Sequence, residues 1–189
     1  MKTKEFIRRA VSDSIQLKTE FFESHTDEIS AFCELLKRAR KKGKKVLIFG
    51  NGGSAADAQH FAAELMHKVE HKPLLLRALA LHTDTSLLTA YANDENFDRA
   101  YAHQIDVLAD PDDVAIAIST SGKSANIVEA LRSARARKCK TVGLLGRDGG
   151  SAKKYCDLKL IVSHSSTPRI QEVHGMLIHV VCQWLEANL

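Results

Sequence analysis

The feature that most constrains this chain is a set of short apolar runs set among helix-length segments. Val46-Leu47-Ile48-Phe49, Val114 to Ile118, Thr141 to Leu145 and Leu158 to Val162 are nearly free of polar residues. Strands of that kind have to be covered on both faces, as happens in a parallel sheet. A fifth strand is read from Leu74 to Leu81, just after Pro73. The segments between them carry helical periodicity over 55–66, 85–92, 97–108, 125–137 and 168–187, and Gly146 to Gly150 reads as a turn. Right-handed crossovers then give a doubly wound α/β fold: a three-layer αβα sandwich around a five-stranded parallel sheet. Ligands in such sheets bind beyond the carboxyl ends of the strands.

Two further helices precede the first strand, over 4–22 and 26–42. Their apolar residues include Phe6, Ile7, Val11 and Ile15 in one, and Ile29, Phe32, Cys33 and Leu36 in the other. We read residues 1–43 as a helical hairpin available for subunit contacts, and 44–189 as the α/β sandwich. Together they make one domain, in keeping with 189 residues.

Composition narrows the function classes. A hydrophobic share of 44% with 26% charged residues argues against disorder. No apolar run approaches the roughly 20 residues that cross a bilayer. Met1 to Glu5 lacks the apolar stretch of a secretory signal. The expectation is a soluble, cytoplasmic protein without a membrane partner. The net charge of +4 owes much to the run Lys37 to Lys45. Without interleaved aromatics this reads as a solvated helix end stopped at Gly43, not as a nucleic-acid surface. Cys33, Cys139, Cys156 and Cys182 fit no zinc or redox spacing and read as reduced core thiols.

Two loops follow strand ends. Gly50-Asn51-Gly52-Gly53-Ser54 is neither a dinucleotide fingerprint nor a P-loop. It reads equally as an anion-accepting helix entry or as a tight turn in which Ser54 caps the helix with help from Asp57. Ser119-Thr120-Ser121-Gly122-Lys123-Ser124 concentrates four hydroxyls and a lysine before a helix. That density favours binding of a phosphate monoester. On the first of these helices His60 and Glu64 share a face, suited to a metal but, from spacing alone, more readily a surface hydrogen bond. On the last helix Gln171 and His179 lie near one face, with His174 as a rival.

The segments Gly50 to Glu64, Thr83-Asp84-Thr85-Ser86, Ala92-Asn93-Asp94, Ser119 to Ser124 and Arg169-Ile170-Gln171-Glu172 together resemble the phosphoheptose isomerases of the sugar-isomerase (SIS) fold. The likeness runs in order over nearly the whole chain. It implies a flavodoxin-like strand order and a homotetramer with active sites at subunit interfaces. It implies conversion of D-sedoheptulose 7-phosphate to D-glycero-D-manno-heptose 7-phosphate, an early step toward bacterial lipopolysaccharide core or other surface glycans. One Zn2+ per subunit would be held by His60, Glu64, Gln171 and His179. Substrate would be bound by Asn51, Gly52, Gly53, Ser54, Glu64, Asn93, Asp94, Ser119, Thr120, Ser121, Ser124 and Gln171. Glu64 would act as base and His179 as acid. Lys68 stands where the family often has arginine. Two other readings compete with it: a non-catalytic SIS module that binds a replication initiator protein, and an isomerase of another sugar phosphate. Glu64, His179 and the intact serine loop speak for the enzyme.

Overall fold

The computed structural model describes residues 2–189. Five parallel strands run β1 (Lys45–Gly50), β2 (Arg77–Ala80), β3 (Val114–Ser119), β4 (Lys140–Gly146) and β5 (Leu158–Val162), in the order β2-β1-β3-β4-β5. Seven α-helices accompany them among the described residues: α1 (Thr3–Ser24), α2 (Thr26–Lys41), α3 (Gly53–Met66), α4 (Thr85–Asp94), α5 (Ala100–Leu108), α6 (Ala125–Ala136) and α7 (Thr167–Asn188). This is the expected sandwich, with strand order reversing between β1 and β3.

The reason lies in the two-sided strands. In β1, Val46 and Ile48 face a core shared with α2, α3 and α7, whereas Leu47 and Phe49 face the opposite core under α5 and α6. β3 repeats this, with Val114, Ile116 and Ile118 on the first face and Ala115 and Ala117 on the second. Strict alternation with both faces apolar leaves these strands no solvent side. All four cysteines are free and buried, as expected.

Several expectations need correction. The hairpin over 1–43 does not close. The joint between α1 and α2 is His25 alone, shorter than the two to five residues on which a helical hairpin turns. α1 takes α7 as its helix partner instead. Ser14 Oγ donates to Glu172 at 2.6 Å, and Arg169 reaches both the Ala10 carbonyl and Glu172. β2 begins at Arg77, not Leu74, because the Leu74 and Leu76 N–H groups turn back to His67 and Leu65 at the end of α3. α3 starts at Gly53 with Gly52 in the capping position, so neither Ser54 nor Asp57 caps it. α4 continues through Asn93 and Asp94, and α5 is preceded by a 3-10 turn at Phe97–Arg99. A further 3-10 turn, Ala152–Tyr155, lies beyond the expected Gly146 to Gly150 turn.

Candidate active site

The loops after β1 and β3 meet at the point where strand order reverses. The Asn51 amide donates to Asn126 Oδ1 at 2.9 Å, and the Asn126 amide returns a bond to Asn51 Oδ1 at 2.8 Å. Asn126 sits in the first turn of α6, directly after the serine loop, and is buried. The reciprocal pair therefore locks the glycine loop to the serine loop. Tyr101, buried on α5, donates its hydroxyl to the Gly50 carbonyl at 2.7 Å and fixes the start of the first loop. Burial pushes that phenol up to about 12, so it remains a donor.

In the serine loop, Gly122 N–H donates to Ser119 Oγ at 3.0 Å and Lys123 N–H donates to Ser121 Oγ at 3.2 Å. A hydroxyl that accepts from the backbone keeps its own proton to give away. Ser119 and Ser121 are thus held as donors. Ser124 stands at the entry of α6, where first-turn N–H groups and the helix dipole attract an anion. Thr120 and Ser121 are half-buried and Lys123 is exposed.

A second cluster is built by α3 and α7, which lie side by side. His60 Nε2 is 2.9 Å from Glu64 Oε1, and His179 Nε2 is 3.4 Å from the same oxygen. The two imidazoles meet edge to face with centroids 5.0 Å apart. Glu64 is only 11% exposed in its side chain, and its Oε2 is buried without a hydrogen-bond partner. Two imidazoles and a carboxylate offer ligand atoms within 4.8 Å of one another, a set that can hold a metal ion. The bland reading of His60 and Glu64 as a surface pair gives way here, because a third group from another helix converges on the same oxygen.

Gln171 is placed differently. It lies eight residues before His179, about 12 Å along the helix, and its amide nitrogen fills the space that a side chain at residue 53 would need. The absence of a side chain at Gly53 leaves room for that amide. Gln171 thereby ties α7 to the glycine loop, one level above the three-residue cluster. The rival His174 is fully buried, its Nε2 facing the Leu145 carbonyl at 3.4 Å. Desolvation lowers it to about 4, so it is a neutral core residue. Asn93 and Asp94 lie exposed in the last turn of α4, bonded to each other at 2.9 Å and outside this network. Gly52 is exposed, and Ser54 is buried in the first turn of α3. Asp57, one turn before His60, has a buried oxygen without a partner, and burial raises its carboxyl although His60 opposes the shift. Lys68 is exposed just beyond α3.

Comparison with known proteins follows the same contour. The family model described as "SIS domain" matches residues 11–146. A phosphoheptose isomerase of Geobacter sulfurreducens is 53% identical over 161 residues, 85% of each chain. The chain belongs to the phosphoheptose isomerase family. Another member, from Trichlorobacter lovleyi, is 45% identical and spans 97% of this chain and 94% of its own. A solved phosphoheptose isomerase from Neisseria gonorrhoeae is 40% identical and superposes with a TM-score of 0.92, over 98% of this chain and all of that one. The resemblance read from the motifs is thus the family's resemblance over the whole fold. No helix of the described residues is long and apolar enough to cross a membrane.

Proposed function

We infer that the chain is an aldose–ketose isomerase that converts D-sedoheptulose 7-phosphate to D-glycero-D-manno-heptose 7-phosphate. The observation that carries this reading is the convergence of His60, His179 and the sheltered carboxylate of Glu64, in a chain that also carries a hydroxyl-rich loop at the strand ends. Family membership supplies the substrate class, and the site supplies the groups that the reaction needs.

The 7-phosphate belongs on the serine loop, where Ser119, Thr120, Ser121 and Ser124 donate to its oxygens. Asn51 to Ser54 and Gln171 are assigned to the sugar, and Asn93 and Asp94, which lie outside this subunit's network, are assigned to it across a subunit contact. Glu64 removes a proton from C1 of the ketose. The C–H electron pair becomes the C1–C2 double bond, and the carbonyl oxygen at C2 takes a proton from His179. The resulting enediol then gives its O1 proton back to His179 while C2 takes a proton from Glu64, leaving the aldehyde at C1. Low exposure of Glu64 leaves its carboxylate poorly solvated, which strengthens it as a base.

A zinc ion assigned to this cluster would be held by His60, Glu64 and His179, with Gln171 as fourth donor once it turns away from Gly53, and ligand exchange on substrate binding would free Glu64 and His179 for proton transfer. The buried, unpartnered Glu64 Oε2 and the two imidazoles suit such a cation. When bound, zinc supplies Lewis acidity toward the sugar oxygens at C1 and C2.

We also propose a cytoplasmic homotetramer that serves surface-glycan synthesis. Its support in the fold is the apolar stripe of α1, where Phe6, Ile7, Val11 and Ile15 are each more than half exposed. Such a stripe fits a subunit contact. Incubating the purified protein with sedoheptulose 7-phosphate and following the products by 13C and 31P NMR tests the function. An aldoheptose phosphate is expected. No conversion by folded, zinc-supplied protein overturns the reading and leaves another sugar phosphate or a non-catalytic binding role.

A further inference from the structure

We propose that Gly150 is a positioning residue for phosphate: it sets the height of the serine loop by direct backbone contact with Gly122. The proposal rests on the phosphate role given above to Ser119–Ser124. Gly150 lies in the turn after β4, whereas the loop it touches follows β3. The contact is too close for any side chain. A Cβ on Gly150 would stand 2.5 Å from the Gly122 carbonyl carbon and 2.6 Å from the Ser121 carbonyl oxygen. A Cβ on Gly122 would meet Gly149 and Gly150 backbone just as closely. Both residues hold left-handed backbone, φ 61° at Gly122 and φ 53° at Gly150. The contact is also bonded: Ala152 N–H donates to the Gly122 carbonyl at 2.9 Å.

The consequence reaches the ligand groups. Gly122 N–H is what orients the Ser119 hydroxyl, and Lys123 N–H orients Ser121. Pushing Gly122 away from the turn moves both donors together. His60, Glu64 and His179 sit on α3 and α7, which this contact does not touch. The turn should therefore govern how well phosphate is held, not how fast the proton moves.

A matched pair of variants tests this. Gly149→Ala and Gly150→Ala introduce the same side chain into the same turn, both at positive φ. At Gly149 the new Cβ meets the Ile161 and Lys153 side chains, at 2.9 and 3.1 Å, not the serine loop. Thermal stability should fall in both. Inorganic phosphate, as competitive inhibitor, should bind about tenfold more weakly to Gly150→Ala, with a parallel rise in KM and kcat within about twofold of wild type. Gly149→Ala should stay within about threefold on all three. Equal effects of the two variants, or a loss confined to kcat, would overturn the proposal.

Should Gly150→Ala fail to fold, Asp148→Ala serves instead. Asp148 is exposed, and its Oδ1 accepts the Gly150 N–H at 3.3 Å. Removing a negative charge near Lys123 would by itself tighten phosphate. Loosening the turn predicts the opposite, a weakening of about two- to threefold. Tighter phosphate in Asp148→Ala refutes the positioning role. If phosphate does not inhibit wild-type enzyme that turns over substrate, the fault lies in the serine-loop reading, and the proposal falls with it.

Discussion

Asn126→Ala gives the sharpest test of how the site is assembled. The substitution removes two side-chain hydrogen bonds, 2.9 and 2.8 Å long, from the join between the two loops. Each such bond contributes about 1 kcal/mol net. Asn126 is 2% exposed, whereas Asn51 is half-buried, so water can reach the amide that is left behind. The expected loss is therefore about 2 kcal/mol, not the larger penalty of a sealed, unpaired amide. For a chain of this length that is roughly 4–8 °C in Tm. Urea unfolding at fixed protein concentration measures it, since assembly also shifts apparent stability. A double-mutant cycle with Asn51→Ala separates the pair from unrelated packing loss. The coupling should be about 1–2 kcal/mol, with Asn51→Ala adding little once Asn126 is gone. A loss under about 0.5 kcal/mol, or strict additivity, would show that the loops are joined by something else.

Further outcomes follow from other residues. His174 is held neutral well below its ordinary 6.5, at about 4. The unfolded chain thus binds the extra proton between those values. Stability should be full above about pH 6.5 and fall by up to about 3 kcal/mol on acidification to pH 4. His174→Gln should flatten that part of the profile measured by urea unfolding, and an unchanged slope would contradict the assignment. Glu186, at the end of α7, accepts from the N–H groups of Val69, Glu70 and His71. Burial raises its carboxyl, but those backbone donors outweigh it and hold the group below its ordinary range. Its stabilisation is present above that range and lost as pH falls. Glu186→Gln should speed amide exchange at residues 69–71 roughly tenfold, because a charged acceptor is about twice as strong as a neutral one. Unaltered exchange there would refute the clamp. His60→Ala and His179→Ala should each weaken zinc binding by calorimetry at least as much as the roughly 10–100-fold lost with an outer-shell partner. Wild-type affinity in either would remove that residue from the ligand set.

Much of this architecture was legible because its strands are apolar on both faces. Val46 to Phe49 and Val114 to Ile118 admit no half-exposed placement, so the sandwich follows from their composition. β2 was misread at its start for the opposite reason. It is an edge strand, and Leu74 and Leu76 are buried while their N–H groups bond to the end of α3, not to the ladder, with Leu75 left exposed. The leading helices were legible as helices, but their angle was not, since it depends on where α7 offers α1 a partner. Within the site, His60 and Glu64 were visible as a helical pair, yet only the arrival of His179 from α7 turns them into a cluster. Asn126 escaped notice because its meaning lies in a partner 75 positions away. An asparagine in the first turn of the helix that follows the serine loop was the available signal. Gly149 and Gly150 read only as a turn, since a close approach between two loops leaves no periodicity.

The most direct measurement is solvent deuterium at C2 of the product, followed by NMR in D2O for wild type and Glu64→Gln. A carboxylate that shuttles the proton between C1 and C2 exchanges it with solvent, so wild type should place deuterium at C2 of the aldoheptose phosphate. Glu64→Gln should form neither product nor deuterated substrate, while still binding the sugar phosphate in a ligand-observed titration. Conversion by Glu64→Gln at the wild-type rate would contradict the account at its centre.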